Sequence, residues 1–113
     1  PEKPEPAIVK KQTDLGWDVK LNLVKKGSVV TASLVRGVYK VEGNLEYAPL
    51  TVKIPDGFKP STQVHLVANK NSSSKIIGSA VWHLSSDGSI NLTNQSQEPA
   101  VYTGTVTYLT EDN

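Results

Sequence analysis

A tryptophan and a histidine stand side by side, next to a tight turn, in a chain with few reactive side chains. Trp82 and His83 are each one of only two residues of their kind, and Asp87 follows in the segment SSDG. Aromatic rings bind sugars by stacking on their apolar faces, whereas His and Asp exchange hydrogen bonds with the hydroxyl groups. These three residues therefore predict a ligand site, and a saccharide is the ligand class that fits them.

Each of these residues also has a purely structural interpretation. Trp82 can fill the core while His83 is solvated, and Asp87 can serve the turn, because Asp bonds readily to the nearby backbone. The other tryptophan, Trp17, stands at the entry of the first predicted strand. We expect it in the core or at a subunit interface.

Two further ligand candidates lie upstream of the Trp82 segment. His65 is the only other histidine, and Asn69 opens a stretch of Asn and Ser at residues 69–74 that predicts a polar loop. Amide and imidazole groups are suited to pairing with sugar hydroxyls. Both residues are therefore included in the predicted ligand site.

No catalytic or metal-binding set is suggested by spacing. Hydrolysis needs a nucleophile with an orienting base, or two carboxylates converging on one bond, and the acidic residues are scattered, mostly at turns. The chain has no Cys, and His65 and His83 are far apart with no companion at ligand spacing. We predict no catalytic residue, no metal and no cofactor. An enzyme acting on a polysaccharide is kept as a third hypothesis.

Composition favours one small all-β domain without a polyanionic partner. The chain has 113 residues, only 6% of them aromatic and none Cys or Met, so the core must consist of Val, Leu, Ile and Ala. The formal net charge of +1 comes from 12 basic and 11 acidic residues that are interleaved. Binding to nucleic acid and insertion into a membrane are therefore not expected.

Residues 75–93, KIIGSAVWHLSSDGSINLT, carry the clearest structural pattern. Ile76, Ala80, Trp82 and Leu84 are predicted on one face at a period of two, and His83 on the other, which is typical of a strand. Asp and Gly in SSDG then supply a turn, and the chain returns through alternating apolar residues. The segment predicts a β-hairpin at the centre of the fold.

The remaining segments extend the same pattern. Residues 17–36 predict a second hairpin, residues 42–49 a loop, and residues 54–60 a proline-flanked turn that presents Phe58. Roughly eight short strands predict a single antiparallel β-barrel or sandwich with no helix. Residues 1–13 are rich in Pro and charge and predict a linker or the end of a neck, which leaves residues 14–113 as the domain.

Six short features in fixed order resemble a known family over residues 14–110. They are LNLVKKGSVV at 21–30, the following glycine and Asn44 loop, IPDGFKP at 54–60, VHLVA at 64–68, the S-x-G turn at 86–88 and TGT at 103–105. In this order they resemble the head domain of the receptor-binding proteins on lactococcal siphophage baseplates, or a closely related accessory baseplate protein.

The resemblance implies a homotrimeric β-barrel head in the virion, at the phage tail tip or baseplate, that binds cell-wall polysaccharide of a Gram-positive host and contacts other baseplate proteins. Family members bind saccharide with His, Asp and Trp near the counterpart of the central hairpin. Here Trp82 and His83 stand where the family tends to have His and Asp, and Leu92 where a Trp often follows the turn. The alternative hypothesis is a structural or assembly module of a phage tail that contacts protein and not sugar.

Overall fold

The chain folds into two antiparallel β-sheets around one hydrophobic core, as the sequence predicts. A computed structural model describes residues 7–110. Within that range there is no helix, and hence none long and apolar enough to cross a membrane. The strands are β1 (Ile8–Asp14), β2 (Lys20–Lys26), β3 (Val29–Leu34), β4 (Val38–Tyr39), β5 (Leu45–Lys53), β6 (Val64–Ser72), β7 (Lys75–Leu84), β8 (Ser89–Asn94), β9 (Ala100–Thr103) and β10 (Thr105–Leu109).

The chain enters the second sheet between β3 and β4 and returns to the first sheet at the crossing from β9 to β10. The four-stranded sheet has the order β1-β2-β3-β10 and the six-stranded sheet the order β4-β9-β6-β7-β8-β5. Gly104 lies at the crossing, where an added Cβ would come within 2.9 Å of the Val67 carbonyl oxygen. Glycine is needed here because the backbones of two strands approach too closely for a side chain. The crossing brings the last strand onto the four-stranded sheet and completes the core.

The core is formed by the inward faces of both sheets. Trp82 lies at its centre with 0% of its surface exposed, and its ring meets Tyr102 edge to face at a centroid distance of 6.1 Å. Ala80 and Leu84 point inward with it, as the period of two predicts. Ile76 was expected on the same face but is exposed, because an irregularity in the β6–β7 pairing shifts the register near the start of β7.

The central hairpin is confirmed by the pairing of β7 with β8. The turn between them closes with hydrogen bonds from the Ser85 amide to the Ser89 carbonyl at 2.9 Å and from the Gly88 amide to the Ser85 carbonyl at 2.9 Å. Gly88 has a φ of 93°, a left-handed conformation that glycine adopts without steric penalty. The turn residues thus have the role that the sequence predicted.

Two predicted loops are wrong because strand pairing overrides a polar composition. Residues 69–72 continue β6, and only Ser73 and Ser74 form the turn, with φ of 50° and 66°. Likewise β5 begins at Leu45, inside the expected loop at 42–49. In both cases a neighbouring strand satisfies the backbone amides, so Asn, Ser and Pro are tolerated in extended chain.

The start of the domain also differs from the prediction. Residues 1–6 of the expected linker lie outside the described part of the chain, but residues 8–14 form β1 and pair with β2 along their whole length. The linker prediction is therefore wrong for residues 8–13. The next strand begins at Lys20 and not at Trp17, because a turn intervenes. Phe58 is not presented to solvent either: it is buried beneath the amino groups of Lys11 and Lys25.

A lysine and an asparagine are fully buried at one end of the six-stranded sheet. The Lys70 amino group donates to Asn94 Oδ1 at 2.9 Å and to the Ser96 carbonyl, and it lies 5.5 Å from the centre of the Tyr102 ring. Burial lowers the pKa of Lys70, and the carboxylate of Glu98 partly opposes this. The buried ammonium group of Lys70 is tolerated because it is hydrogen-bonded to Asn94 and to Ser96.

Asn94 extends this polar cluster to two neighbouring segments. Its Nδ2 lies within hydrogen-bonding distance of the carbonyl oxygens of Val41 at 3.2 Å, Glu42 at 2.8 Å and Ser96 at 3.0 Å. These segments have no regular pairing of their own at those residues. The buried amide therefore fastens them to the end of β8.

Replacing Trp82 with alanine tests its assignment to the core. We expect Trp82→Ala to lower the free energy of unfolding by about 3 to 5 kcal/mol, because the change leaves a large cavity. Ile76→Ala, at an exposed site on the same strand, should change it by no more than about 0.5 kcal/mol. Urea unfolding followed by circular dichroism measures both, and equal stability of the two variants would contradict the core assignment.

Replacing Asn94 with alanine tests the buried polar cluster. Asn94→Ala removes an acceptor from a buried ammonium and a donor from three carbonyl groups, so we expect a loss of about 3 kcal/mol in unfolding free energy. Asn69→Ala, at an exposed position of β6, is the matched control and should be nearly neutral. Thermal melts that do not separate the two variants would show that the cluster contributes little.

Candidate functional site

Polar and aromatic side chains gather on the outer face of the six-stranded sheet. Alternation along β6, β7 and β8 places His65, His83 and Asn91 on this face, and the strand register sets them directly opposite one another in one row. Tyr47, Gln63 and Thr93 lie against the same row. We call these six residues the outer-face cluster.

Tyr47 covers the row from the edge strand β5. The pairing of β5 with β8 is irregular between Leu45 and Ala48, and within this bulge Tyr47 has a φ of 52°. A left-handed conformation is unfavourable for a residue with a bulky side chain, and bulges commonly redirect a side chain. Here the bulge lays the Tyr47 ring against His83 at a centroid distance of 4.6 Å, with 48% of the residue still exposed.

Side chains of the cluster hold Tyr47 in this conformation through all three of its polar groups. Its amide donates to Thr93 Oγ1 at 3.1 Å, and its carbonyl accepts from Asn91 Nδ2 at 3.1 Å. Gln63 Nε2 donates to its hydroxyl at 2.7 Å. A strained residue persists only where its surroundings determine it. The aromatic ring is therefore a fixed platform on the surface.

His83 lies between Tyr47 and His65. Its Nε2 is 3.0 Å from Thr93 Oγ1, and its ring meets the His65 ring edge to face at 4.9 Å between centroids. Its Nδ1 is buried and has no hydrogen-bond partner among the described residues. Burial, and then the neighbouring imidazole of His65, lower the pKa of His83. The ring is thus neutral at neutral pH.

The structure brings together some of the predicted ligand residues and separates others. His65 and His83 are neighbours in the cluster, and Asn69 lies further along the same face of β6, opposite Ser79. Trp82 points the other way, into the core. Its predicted stacking role is therefore wrong, because a ring with no exposed surface cannot contact a sugar. The structural alternative for Trp82 is the one observed.

Asp87 belongs to the hairpin turn. Its Oδ1 accepts a hydrogen bond from the Ser89 amide at 2.8 Å, and the hydrogen bonds with Ser89 lower the pKa of this carboxyl. The contacts of Asp87 are thus with the turn and not with the histidines. The ligand site predicted from the sequence also leaves out Tyr47 and Gln63, because neither stands in a pattern that predicts a surface site.

A second aromatic residue is displayed at a cleft of about 490 Å³ between residues 14–17 and residues 49–52 of β5. Trp17 and Asp18 have consecutive φ values of 51° and 66°, and Trp17 is 36% exposed. Asp14 fixes this turn by accepting from the Gly16 amide at 2.8 Å and pairing with Lys20. Trp17 is therefore not in the core, and its expected role at a subunit interface stays a prediction.

Comparison with family models and with curated proteins supplies no relative from which a function can be transferred to these sites. Neither the family models nor the curated proteins contain a match to the chain. The resemblance to phage baseplate heads stays a prediction. The chemistry of the outer-face cluster and of the Trp17 cleft must therefore be argued from their own geometry.

Glycine and alanine at position 47 test the strain at Tyr47. Both changes remove the ring, but only glycine relieves the left-handed backbone, so Tyr47→Gly should be more stable than Tyr47→Ala by about 1 kcal/mol. At Val67, an ordinary strand position on the same face, the order should be reversed. Urea unfolding measures the stability of the four variants. If alanine is more stable than glycine at both positions, the backbone of Tyr47 is not strained.

Proposed function

We propose that this domain is a non-enzymatic host-recognition domain of a phage tail, which binds a cell-surface saccharide of a Gram-positive bacterium through the outer-face cluster. The observation that carries the proposal is the half-exposed Tyr47 ring, held rigidly beside imidazole and amide groups. A planar apolar surface next to such groups is what a sugar ring requires.

The polar groups around Tyr47 suit the hydroxyls of a sugar. His65 is exposed and its imidazole makes no hydrogen bond with any of residues 7–110, and of the Asn91 side-chain amide only Nδ2 is hydrogen-bonded in that range. These groups can donate to or accept from a ligand without breaking an existing bond. Because Tyr47 is already fixed, little further ordering is needed on binding, which favours affinity.

Oligomerisation brings several copies of this site together for adsorption to a cell. A shallow surface site of this kind binds a saccharide weakly, and the expected homotrimer, held among other baseplate proteins, presents several copies to one polymer. Several weak sites on one particle then act together through their high effective concentration. Reversible attachment of a virion to a cell wall is the function that such an arrangement serves.

A sheet edge that no strand within residues 7–110 covers supports the second candidate, an assembly module that contacts protein. Strand β1 ends the four-stranded sheet, and its Ile8 is 58% exposed while Val9 is also exposed. An unpaired edge with apolar residues is a template for pairing with another chain. Lys10 and Lys11 follow directly, and exposed lysines on an edge disfavour uncontrolled pairing.

Calorimetric titration with purified cell-wall polysaccharide of Gram-positive bacteria tests the proposed function. We expect saturable binding that Tyr47→Ala weakens about tenfold or more, since the stacking surface is lost. Trp17→Ala, which removes the other exposed aromatic side chain, is the matched control and should bind like the parent chain. Thermal melts of both variants establish that each is folded.

Three outcomes would overturn the proposal. Loss of binding in Trp17→Ala but not in Tyr47→Ala would place the saccharide in the cleft beside β5. Release of reducing ends from the polysaccharide would identify an enzyme. Absence of saturable binding to wall polysaccharide, together with capture of a purified tail protein through β1, would favour the assembly module.

A further inference from the structure

We propose that His65 and His83 chelate one divalent transition-metal ion on the outer face of the six-stranded sheet. The two residues are directly opposite each other in the antiparallel pairing of β6 with β7. Opposed residues on one face have Cβ atoms about 5 Å apart, a separation that two imidazole rings can bridge with one ion between them. The ring centroids are already 4.9 Å apart.

His83 has the features of an oriented metal ligand. Its Nε2 is held by Thr93 Oγ1 at 3.0 Å, and that oxygen is itself fixed by the Tyr47 amide at 3.1 Å. When Nε2 donates its proton to Thr93, Nδ1 carries a lone pair, and this atom is buried without a hydrogen-bond partner among the described residues. Metal-binding histidines are typically oriented by a hydrogen bond at their other nitrogen. A bound ion would satisfy the buried Nδ1.

His65 supplies the mobile half of the pair. It is exposed, its ring meets the His83 ring edge to face, and its imidazole makes no hydrogen bond within residues 7–110. Because no hydrogen bond holds it, its imidazole can turn from the edge-to-face arrangement to direct a nitrogen at the same ion. The site is open to solvent at His65, which provides a path of entry.

The donor set determines which ions fit. Two imidazoles suit Cu²⁺, Ni²⁺ and Zn²⁺, and Cu²⁺ binds such ligands most tightly of the three. Ca²⁺ and Mg²⁺ require oxygen ligands instead. No group of three or more His, Cys, Asp and Glu side chains converges within the described range. The pair therefore leaves coordination positions to water or to an external ligand, and the affinity should fall below that of a closed structural zinc site.

Titration of the tag-free chain with zinc and nickel chloride tests the site. We expect one ion per chain, with affinity reduced at least tenfold in His65→Asn, a change at an exposed position that leaves the fold intact. In nuclear magnetic resonance spectra, Ni²⁺ should broaden the imidazole signals of both histidines first. No binding to the folded chain, or unchanged affinity in His65→Asn, would overturn the proposal.

A register control separates a chelating pair from two independent histidines. The double variant His65→Val with Val67→His keeps both imidazoles on the same face but moves one along β6, out of opposition to His83. It should bind Zn²⁺ no better than His65→Asn, and binding equal to that of the parent chain would refute chelation. The titrations contain no polysaccharide, so their result does not depend on the proposed function.

Discussion

The burial of Trp82 sets the register on which the surface of this domain depends. Trp82 is paired with Leu66 on one side and Leu92 on the other, and all three lie in the core. The adjacent row, formed by His65, His83 and Asn91, must then face outward because side chains alternate along a strand. A shift of one residue in β7 would exchange the two rows, exposing the indole and burying the imidazole, so the core determines the composition of the outer face.

Two of the residues with a left-handed backbone in this fold are exposed aromatic residues. Tyr47 and Trp17 both have positive φ values; Tyr47 lies in β5, the edge strand of the six-stranded sheet, and Trp17 lies across a cleft from the same strand. In each case polar contacts hold the unfavourable conformation: the hydrogen bonds of Tyr47 with Thr93, Asn91 and Gln63, and those made by Asp14 at the Trp17 turn. Strain held in this way is a reason to examine both residues for function, since a stable core alone does not require it.

In contrast to the exposed aromatic residues, the polar cluster around Lys70 and Asn94 is shielded from solvent. Lys70 and Asn94 are fully buried, yet their side chains are paired with each other and with backbone carbonyls. A half-satisfied network would destabilise the fold, whereas this one joins the end of β8 to two segments without regular pairing. Hydrogen bonds of buried amide and ammonium groups thus hold neighbouring segments together at this end of the sandwich, as the packing of apolar side chains does around Trp82.

The sequence by itself determined the all-β class, the central hairpin and its turn, because a period of two and a glycine in SSDG are local signals that need no partner. It misjudged residues 69–72 and 45–49, since Asn, Ser and Pro favour loops locally and only a neighbouring strand shows that they are paired. The opposition of His65 and His83 was not within reach of sequence reasoning, because a regular hairpin closed by Ser73 and Ser74 would set His65 opposite Trp82. Only the irregularity between Lys70 and Asn71 shifts the pairing by one residue to His83.

Tertiary structure alone decided which face of β7 is buried. Both Trp82 and His83 fit a half-buried strand, and only the second sheet, packed over the first, shows that the indole is covered and the imidazole is not. It alone also placed Tyr47 in the outer-face cluster, because a left-handed tyrosine has no sequence signal and its conformation depends on side chains from distant strands. Of the residues predicted to bind a ligand, the two histidines therefore lie on the outer face and Trp82 in the core, since the burial of a side chain is a property of the packed sheets and not of the strand that carries it.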